Sequence, residues 1–299
     1  MSIPVSIQKL INTRKTLLSN SETPFLDAAL LLCHTLGVEK EVLYTLFTSC
    51  PEPPVVTRYD ALIARRASGE PIAYITGEKE FYGLNFQVDS RVLIPRPDSE
   101  TLVEWVLKSH THEALSLHDC CTGSGAIAIA LKHERPSWTV SASDISVESR
   151  EVFARNCRNC LGSESIRWHQ QNILEAPQPH RTPQPHSAPP NNLQNLKYHI
   201  ITANPPYLTD AETAERMQQG WQEPACALNG GKDGLAIIRK LIGQAAGRLL
   251  PEGSLYIEAA DSQIERIICI FKEGNFTDIE CREDLAGMRR VIRGRMSEL

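Results

Sequence analysis

The chain has no apolar run long enough to cross a bilayer. The longest stretches, such as Ala28 to Cys33, fall far short of the roughly 20 residues that a helical span needs. The first residues lack the basic-then-apolar pattern of an export signal, so the cytoplasm is the expected location. There is no long basic run, and the formal charge is -5. Affinity for a phosphate backbone comes from Lys and Arg displacing counterions, so no stable nucleic-acid binding is expected, with a local basic patch left open. Nine cysteines stand at irregular spacings, including the vicinal Cys120-Cys121, and form neither a zinc array of Cys-x-x-Cys pairs nor a small disulfide framework. They read as reduced and mostly buried. What is present is an ordinary globular composition: 299 residues, 41% hydrophobic, enough for a substantial core and for two domains.

The most informative stretch is Ile200-Ile201-Thr202-Ala203-Asn204-Pro205-Pro206-Tyr207. Val, Ile and Thr favour extended backbone, and a residue before proline is pushed out of the helical region, so a strand ends at Asn204. Pro205 and Pro206 have no N–H and cannot continue a ladder, which leaves their carbonyls free. A side-chain amide oxygen beside a free carbonyl gives two acceptors suited to a flat NH2 group, on which Tyr207 can stack. Taken alone, the stretch is equally a strand followed by a proline-stiffened turn.

Residues 1–70 read as a helical bundle. Thr23 as N-cap, Pro24 at the first helical position and Gly37 past the end frame a helix from Phe25 to Leu36 that is apolar on all sides and therefore central. Ser6 to Leu18 and Thr57 to Ser68, the latter with Asp60 completing a capping pattern, flank it. His34 reads as a core histidine. Residues 71–100 form a connector: paired strands around Gly83, then the stiff Ile94-Pro-Arg-Pro97, with Ser99 or Asp98 capping a helix from Thr101 to Ser109.

From Leu117 strand and helix alternate over residues 101–299. Leu117 to Cys121 is a strand, Thr122-Gly123-Ser124-Gly125 a tight turn, and Ala126 to His133 a helix whose first N–H groups face out over the strand end. A second strand, Thr139 to Ser143, ends in Asp144, placed to take both hydroxyls of a ribose. Together with Asp119 these say nucleoside-bearing cofactor and leave its identity open. A helix from Val147 to Cys160 and a strand from Ile166 to Gln170 lead into residues 175–197, a proline-rich surface insertion; the solvated-loop reading of its His180 and His186 is preferred to a metal site. After the Asn204 strand come a helix from Leu235 to Leu250, a strand from Ser254 to Glu258, a helix from Gln263 to Lys272, and an antiparallel pair from Phe276 to Arg282 and Met288 to Gly294.

Asp119-Cys-Cys-Thr-Gly-Ser-Gly125, Asp144 and Asn204-Pro-Pro-Tyr207 together resemble class I S-adenosylmethionine-dependent methyltransferases acting on planar nitrogen. Gly69-Glu-Pro-Ile-Ala-Tyr-Ile-Thr-Gly77, Ile94-Pro-Arg-Pro-Asp-Ser-Glu100, Glu223-Pro-Ala-Cys-Ala-Leu228 and Asp284-Leu-Ala-Gly287 narrow the resemblance to the release-factor glutamine N5-methyltransferases, the HemK/PrmC family. The resemblance runs from about residue 69 to the end. It implies a Rossmann-like seven-stranded sheet with a reversed last strand, preceded by the helical bundle and the hairpin linker. It implies methylation of the Gln in the Gly-Gly-Gln loop of class 1 peptide chain release factors by a monomeric enzyme whose residues 1–70 dock the substrate.

For the site, the resemblance implies cofactor contacts from Asp119, Cys121, Thr122, Gly123, Ser124, Gly125, Asp144, Asn172, Ile173 and Asn204, with Asn204, Pro205, Pro206 and Tyr207 holding the substrate; Asn204, Pro205 and Tyr207 carry the catalysis, and no metal is involved. Two departures stand out: Asn172 replaces the acid that the family usually sets against the adenine amino group, its side-chain oxygen still able to accept that bond, and the proline-rich insertion before the Asn204 strand is longer than the family's. Cys121, in place of the loop's first glycine, is a tolerable small residue. Methyl transfer from a sulfonium is an in-line displacement, so orientation and relief of the charge developing on nitrogen are the tasks, with no strong base required. A nucleic-acid amino-group methyltransferase, an NAD-dependent oxidoreductase and an inactive release-factor adaptor are the competing readings.

Overall fold

A computed structural model describes residues 5–175 and 196–297. The stretch Ala176 to Pro190, and most of the expected insertion at 175–197, lies outside the described residues. The chain divides into two units, Met1–Glu78 with Gln218–Gln222, and Lys79–Met217 with Glu223–Leu299. Among the described residues no helix is long and apolar enough to cross a membrane.

In the first unit, α1 (Ile7–Arg14), α2 (Pro24–Leu36), α3 (Lys40–Thr45), α4 (Pro53–Ala67) and α5 (Ile72–Thr76) surround a core that includes Leu10, Ile11, Leu31, Leu32, Leu43 and Ile63. Gly37 ends α2 in the left-handed region at φ 66°, as its position after the helix indicates. The capping is different from the expectation. Thr23 and Ser21 hydroxyls both donate to Asp27, at 3.1 and 2.7 Å, and Arg66 Nε donates to the same carboxylate at 2.7 Å. α4 starts at Pro53, because two prolines can fill a first turn where N–H groups have no partner. Asp60 therefore lies inside that helix and pairs with Arg14 at 2.6 Å. His34 is exposed in the last turn of α2, not in the core.

The second unit opens with a hairpin, β1 (Glu78–Phe81) and β2 (Leu84–Gln87). Its two turn residues, Tyr82 and Gly83, both have positive φ, 51° and 73°, a geometry whose twist suits a two-residue hairpin. There follow α6 (Glu100–Ser109), β3 (Ser116–Cys120), α7 (Ala126–Glu134), β4 (Thr139–Asp144), α8 (Ser149–Leu161), β5 (Arg167–Gln170), β6 (Tyr198–Ala203), α9 (Asp210–Gln218), α10 (Ala236–Ala245), β7 (Leu249–Glu258), α11 (Ile264–Glu273), β8 (Phe276–Glu283) and β9 (Arg289–Met296). The sheet order is β5-β4-β3-β6-β7-β9-β8, and β9 runs antiparallel to both neighbours. This is the seven-stranded sheet with its last strand reversed. α10 stops short of the expected Leu250 because Leu249 already pairs with Tyr198; the ladder resumes at Ser254 opposite Ile200, and the residues between bulge out. Ile201, Ile257, Leu241, Ile242, Ile267 and Phe271 pack α10 and α11 against the sheet.

One Cys-x-x-Cys spacing does occur, Cys157 to Cys160, with unlike surroundings. Cys157 is buried, whereas Cys160 Sγ lies 3.7 Å from the Asn85 carbonyl. The residue before this pair, Asn156, is fully buried on α8. Its Oδ1 accepts from Gln87 N at 2.8 Å, and its Nδ2 donates to the carbonyls of Gln87 and Ser124, both at 2.9 Å. One side chain thus ties the hairpin to the glycine turn. Asn156→Ala leaves those backbone groups without partners and should lower stability by about 3 kcal/mol, read as a shifted urea midpoint; an unshifted midpoint would show that the hairpin is held by other contacts.

Candidate active site

Strand register builds the site. Cys120 pairs with Ser143 on one side and Ala203 on the other, and Ala203 pairs with Ile257. The next residue on each strand therefore comes to one level: Cys121, Asp144, Asn204 and Glu258. The order of strands reverses between β3 and β6, so these four residues stand at the crevice where an open parallel sheet receives its ligands.

A cavity of about 240 Å3 opens there. Of the residues expected at a site, it is bordered by Cys121, Gly123, Asp144, Asn172, Ile173, Asn204 and Pro206. Asp119, Thr122, Ser124, Gly125, Pro205 and Tyr207 do not border it. Asp119 lies beneath the floor, 1% exposed, with one oxygen accepting from Thr122 Oγ1 at 2.6 Å and the other from Thr202 Oγ1 at 2.7 Å. Ser124 is buried, with its carbonyl taken by Asn156. At Gly125, φ is 87° and a Cβ would come within 2.7 Å of the Phe153 ring, so the glycine lets α7 start against α8. Pro205 is buried and Tyr207 half-buried.

Other walls were not read from the sequence. Val92 and Leu93 come from the segment after the hairpin, Ile145 follows Asp144, and Pro224, Cys226 and Ala227 also line the cavity. An apolar residue directly after a strand-ending acid was a usable signal for Ile145, which is 57% exposed. Asp144 accepts from Gly123 N at 2.8 Å and Ser146 N at 2.9 Å; burial still holds its carboxyl above the ordinary value. This donor set fits S-adenosylmethionine. Asp144 offers acceptors for ribose hydroxyls, Ile145 and Ile173 offer apolar surfaces for a flat base, and Asn172 offers an amide to its edge.

The Asn204-Pro-Pro-Tyr207 loop is fixed from behind. Leu208 N donates to Leu228 O at 2.9 Å and Gly230 N to Leu208 O at 2.7 Å, while Gln263 Nε2 donates to Tyr207 O at 2.9 Å. A Cβ on Gly230 would meet Pro206 O at 2.7 Å, so only glycine admits this approach. Asn204 Nδ2 donates to Ser99 Oγ at 3.2 Å, and Ser99 Oγ donates to Glu258 Oε2 at 2.5 Å. Neither expected cap is used as one: Ser99 makes no side-chain cap bond to α6 and turns inward, and Asp98 lies 3.3 Å from Arg290. Among the described residues, neither Asn204 Oδ1 nor the Pro205 carbonyl accepts a hydrogen bond.

The remaining motifs hold the segment that carries Ser99. Glu223, 4% exposed, accepts from Ile94 N at 3.1 Å and Arg96 Nη2 at 2.5 Å. Asp284 closes the β8–β9 turn by accepting from Ala286 N and Met288 N, and Arg290 bridges it to Asp98.

A parallel sheet with its last strand reversed, a glycine turn after the first strand and an acid ending the second define a class I methyltransferase fold. The crystal structure of a methyltransferase from Pyrococcus furiosus shares it, with a TM-score of 0.51 and 17% identity, covering 81% of this chain and 99% of that one. Residues 9–77 match the PrmC N-terminal domain family. The release factor glutamine methyltransferase of Coxiella burnetii is 35% identical over 290 residues, 94% of this chain and 95% of its own. That of Burkholderia pseudomallei is 36% identical over 291 residues, 95% and 96% of the two chains. The chain belongs to the release factor glutamine methyltransferase family.

Burial raises the Asp119 carboxyl from 3.8 to about 7 against the pull of two hydroxyls, and raises Glu258 from 4.5 to about 7. Each keeps a proton in the folded chain at mildly acid pH that the unfolded chain has released. Their stabilising effect is complete below the unfolded values and is lost as pH rises through about 7. Urea midpoints should therefore fall between about pH 5.5 and about pH 8, with a shallower fall in Asp119→Asn; an unchanged slope in the variant would assign the dependence to other groups.

Proposed function

We propose that this chain transfers a methyl group from S-adenosylmethionine to the side-chain amide nitrogen of the Gln in the Gly-Gly-Gln loop of class 1 peptide chain release factors. The observation that carries the reading is the unused acceptor Asn204 Oδ1 at the cavity, with the unused Pro205 carbonyl next to it in the chain, one strand across from Cys121 and two from Asp144. Family membership supports the substrate, since the relatives' names specify release factor glutamine.

Asp144, Gly123, Asn172 and Ile173 would hold the cofactor, with Ile145 against its base. When bound, S-adenosylmethionine supplies an electrophilic methyl group on sulfur. The protein's part is to orient the nucleophile. A carboxamide nitrogen is poorly nucleophilic, because its lone pair is delocalised into the carbonyl. Two acceptors on its two N–H bonds fix its direction and offset the positive charge that grows on nitrogen. Tyr207 packs on the plane of the amide, its position set by Gln263. No general base is assigned: the nitrogen, once methylated, is acidic enough to lose its proton to water.

The helical unit docks the release factor, residues 71–100 link it, and 101–299 catalyse. Phe25, Leu26, Val42 and Tyr44 are exposed on that unit and suit a protein partner. The enzyme acts as a monomer in the cytoplasm, and the formal charge of -5 supports the absence of stable nucleic-acid binding.

Purified release factor with labelled cofactor should gain one methyl group on that Gln by mass spectrometry; label entering RNA or DNA, and not release factor, would replace the substrate. Asn204→Ala should slow single-turnover methyl transfer about a hundredfold, roughly 3 kcal/mol, with cofactor affinity little changed. Asp144→Ala should do the reverse in calorimetry and weaken cofactor binding; unaltered affinity would remove Asp144 from the cofactor site.

A further inference from the structure

Asn204, Ser99 and Glu258 come from three separate elements: the end of β6, the segment before α6, and the end of β7. Ser99 is 4% exposed and Glu258 1% exposed, so solvent does not set the hydrogen-bond directions between them. A serine hydroxyl has a single hydrogen. In Ser99 it goes to Glu258 Oε2 at 2.5 Å, so toward Asn204 the Ser99 oxygen can only accept. The Asn204 group facing it must then be the NH2, and Oδ1 must face away. The two ends of a carboxamide have nearly the same size, so shape does not choose between them. Hydrogen-bond polarity does.

We propose that Glu258, acting through Ser99, is a positioning residue that locks the Asn204 amide with its oxygen toward the acceptor site, and so makes that site selective for a group that donates N–H. This rests on the proposed role of Asn204 as an acceptor of substrate N–H bonds. Around Glu258 the charged and titratable groups are Arg290 on β9, Asp98 beside Ser99, and Tyr207 beyond Asn204. Burial, the largest influence, opposes the carboxylate; the Ser99 hydrogen bond and Arg290 favour it, Asp98 opposes it and the Asn204 hydrogen bond favours it. Above its raised value of about 7 the group at 258 is a carboxylate and can only accept, which is what gives the chain of bonds its direction.

Glu258→Gln reverses this without changing size. A Gln NH2 can donate to Ser99 Oγ, Ser99 can then donate to position 204, and Asn204 turns its NH2 toward the substrate. In an Asn204→Asp background the same change has the opposite consequence. A carboxylate at position 204 has acceptors on both sides and cannot present a donor; beside Glu258 it meets a like charge and an oxygen whose hydrogen is engaged, and Glu258→Gln relieves both.

The experiment is single-turnover methyl transfer to purified release factor at about pH 8, above the Glu258 value of about 7, by the full chain, by each single variant and by the double variant, with cofactor affinity measured by calorimetry. Glu258→Gln is expected to lower the rate about tenfold or more in the otherwise unchanged chain, with cofactor affinity within about threefold, and not to lower it in the Asn204→Asp background. A similar fall in both backgrounds, or no fall in the first, overturns the inference and makes Glu258 structural only. If Asn204→Ala itself leaves the methyl-transfer rate unchanged, the acceptor reading of Asn204 has failed first, and the two failures are thereby told apart. Should Glu258→Gln not fold, Ser99→Ala and Ser99→Thr ask the same question: Thr keeps the hydroxyl and the rate, Ala loses about tenfold, and equal rates for the two overturn the inference.

Discussion

Parallel pairing of β4, β3, β6 and β7 in one register is the constraint on which the site depends, because it brings the carboxyl ends of four strands to the same level. Side chains alternate across a strand, so a shift of one residue in β6 would turn Asn204 to the other face and replace it with Ala203 or Pro205. Asp119 braces that register from below. Its two oxygens take hydroxyls from Thr202 on β6 and from Thr122 in the glycine turn, so one carboxyl group links two strands and the loop above them.

Three carboxyl groups stand at this end of the sheet: Asp119 and Glu258, both buried, and Asp144, partly exposed at the cavity. Burial disfavours their charged forms, and each is compensated by hydrogen bonds from hydroxyl or backbone donors. Their surroundings separate their uses. Asp119 has both oxygens engaged and serves the fold. Asp144 borders the cavity and can meet a ligand. Glu258 reaches the site through Ser99 and the Asn204 amide.

The segment from Ile94 to Glu100 is the piece that the rest of the unit secures. Glu223 grips its start, Glu258 takes Ser99 and Arg290 reaches Asp98. Motifs far apart along the chain, at 94–100, 223–228 and 284–287, thus share one task. They hold a segment with a single 3-10 turn, Pro97–Ser99, leading into α6, and Val92 and Leu93, which line the cavity, adjoin it.

Much of the architecture was determined by local chemistry. Alternating strand and helix periodicity gave the order of elements, the glycines at 123 and 125 marked the turn, the acid at 144 ended its strand, and two prolines forced Asn204 to stop a ladder with a carbonyl free. These depend on what a residue's own backbone and side chain can do, so sequence carries them. The tertiary structure alone decided which acid faces the cavity: Asp119 and Asp144 both stand at strand ends, and burial among neighbours from other strands separates them. It also decided the role of Ser99, which a local pattern gives as a helix cap, and which instead bonds Glu258, 159 residues away. Caps and turns are encoded within a few residues; the direction of an amide is set by partners that only the register of a folded sheet brings within 3.2 Å.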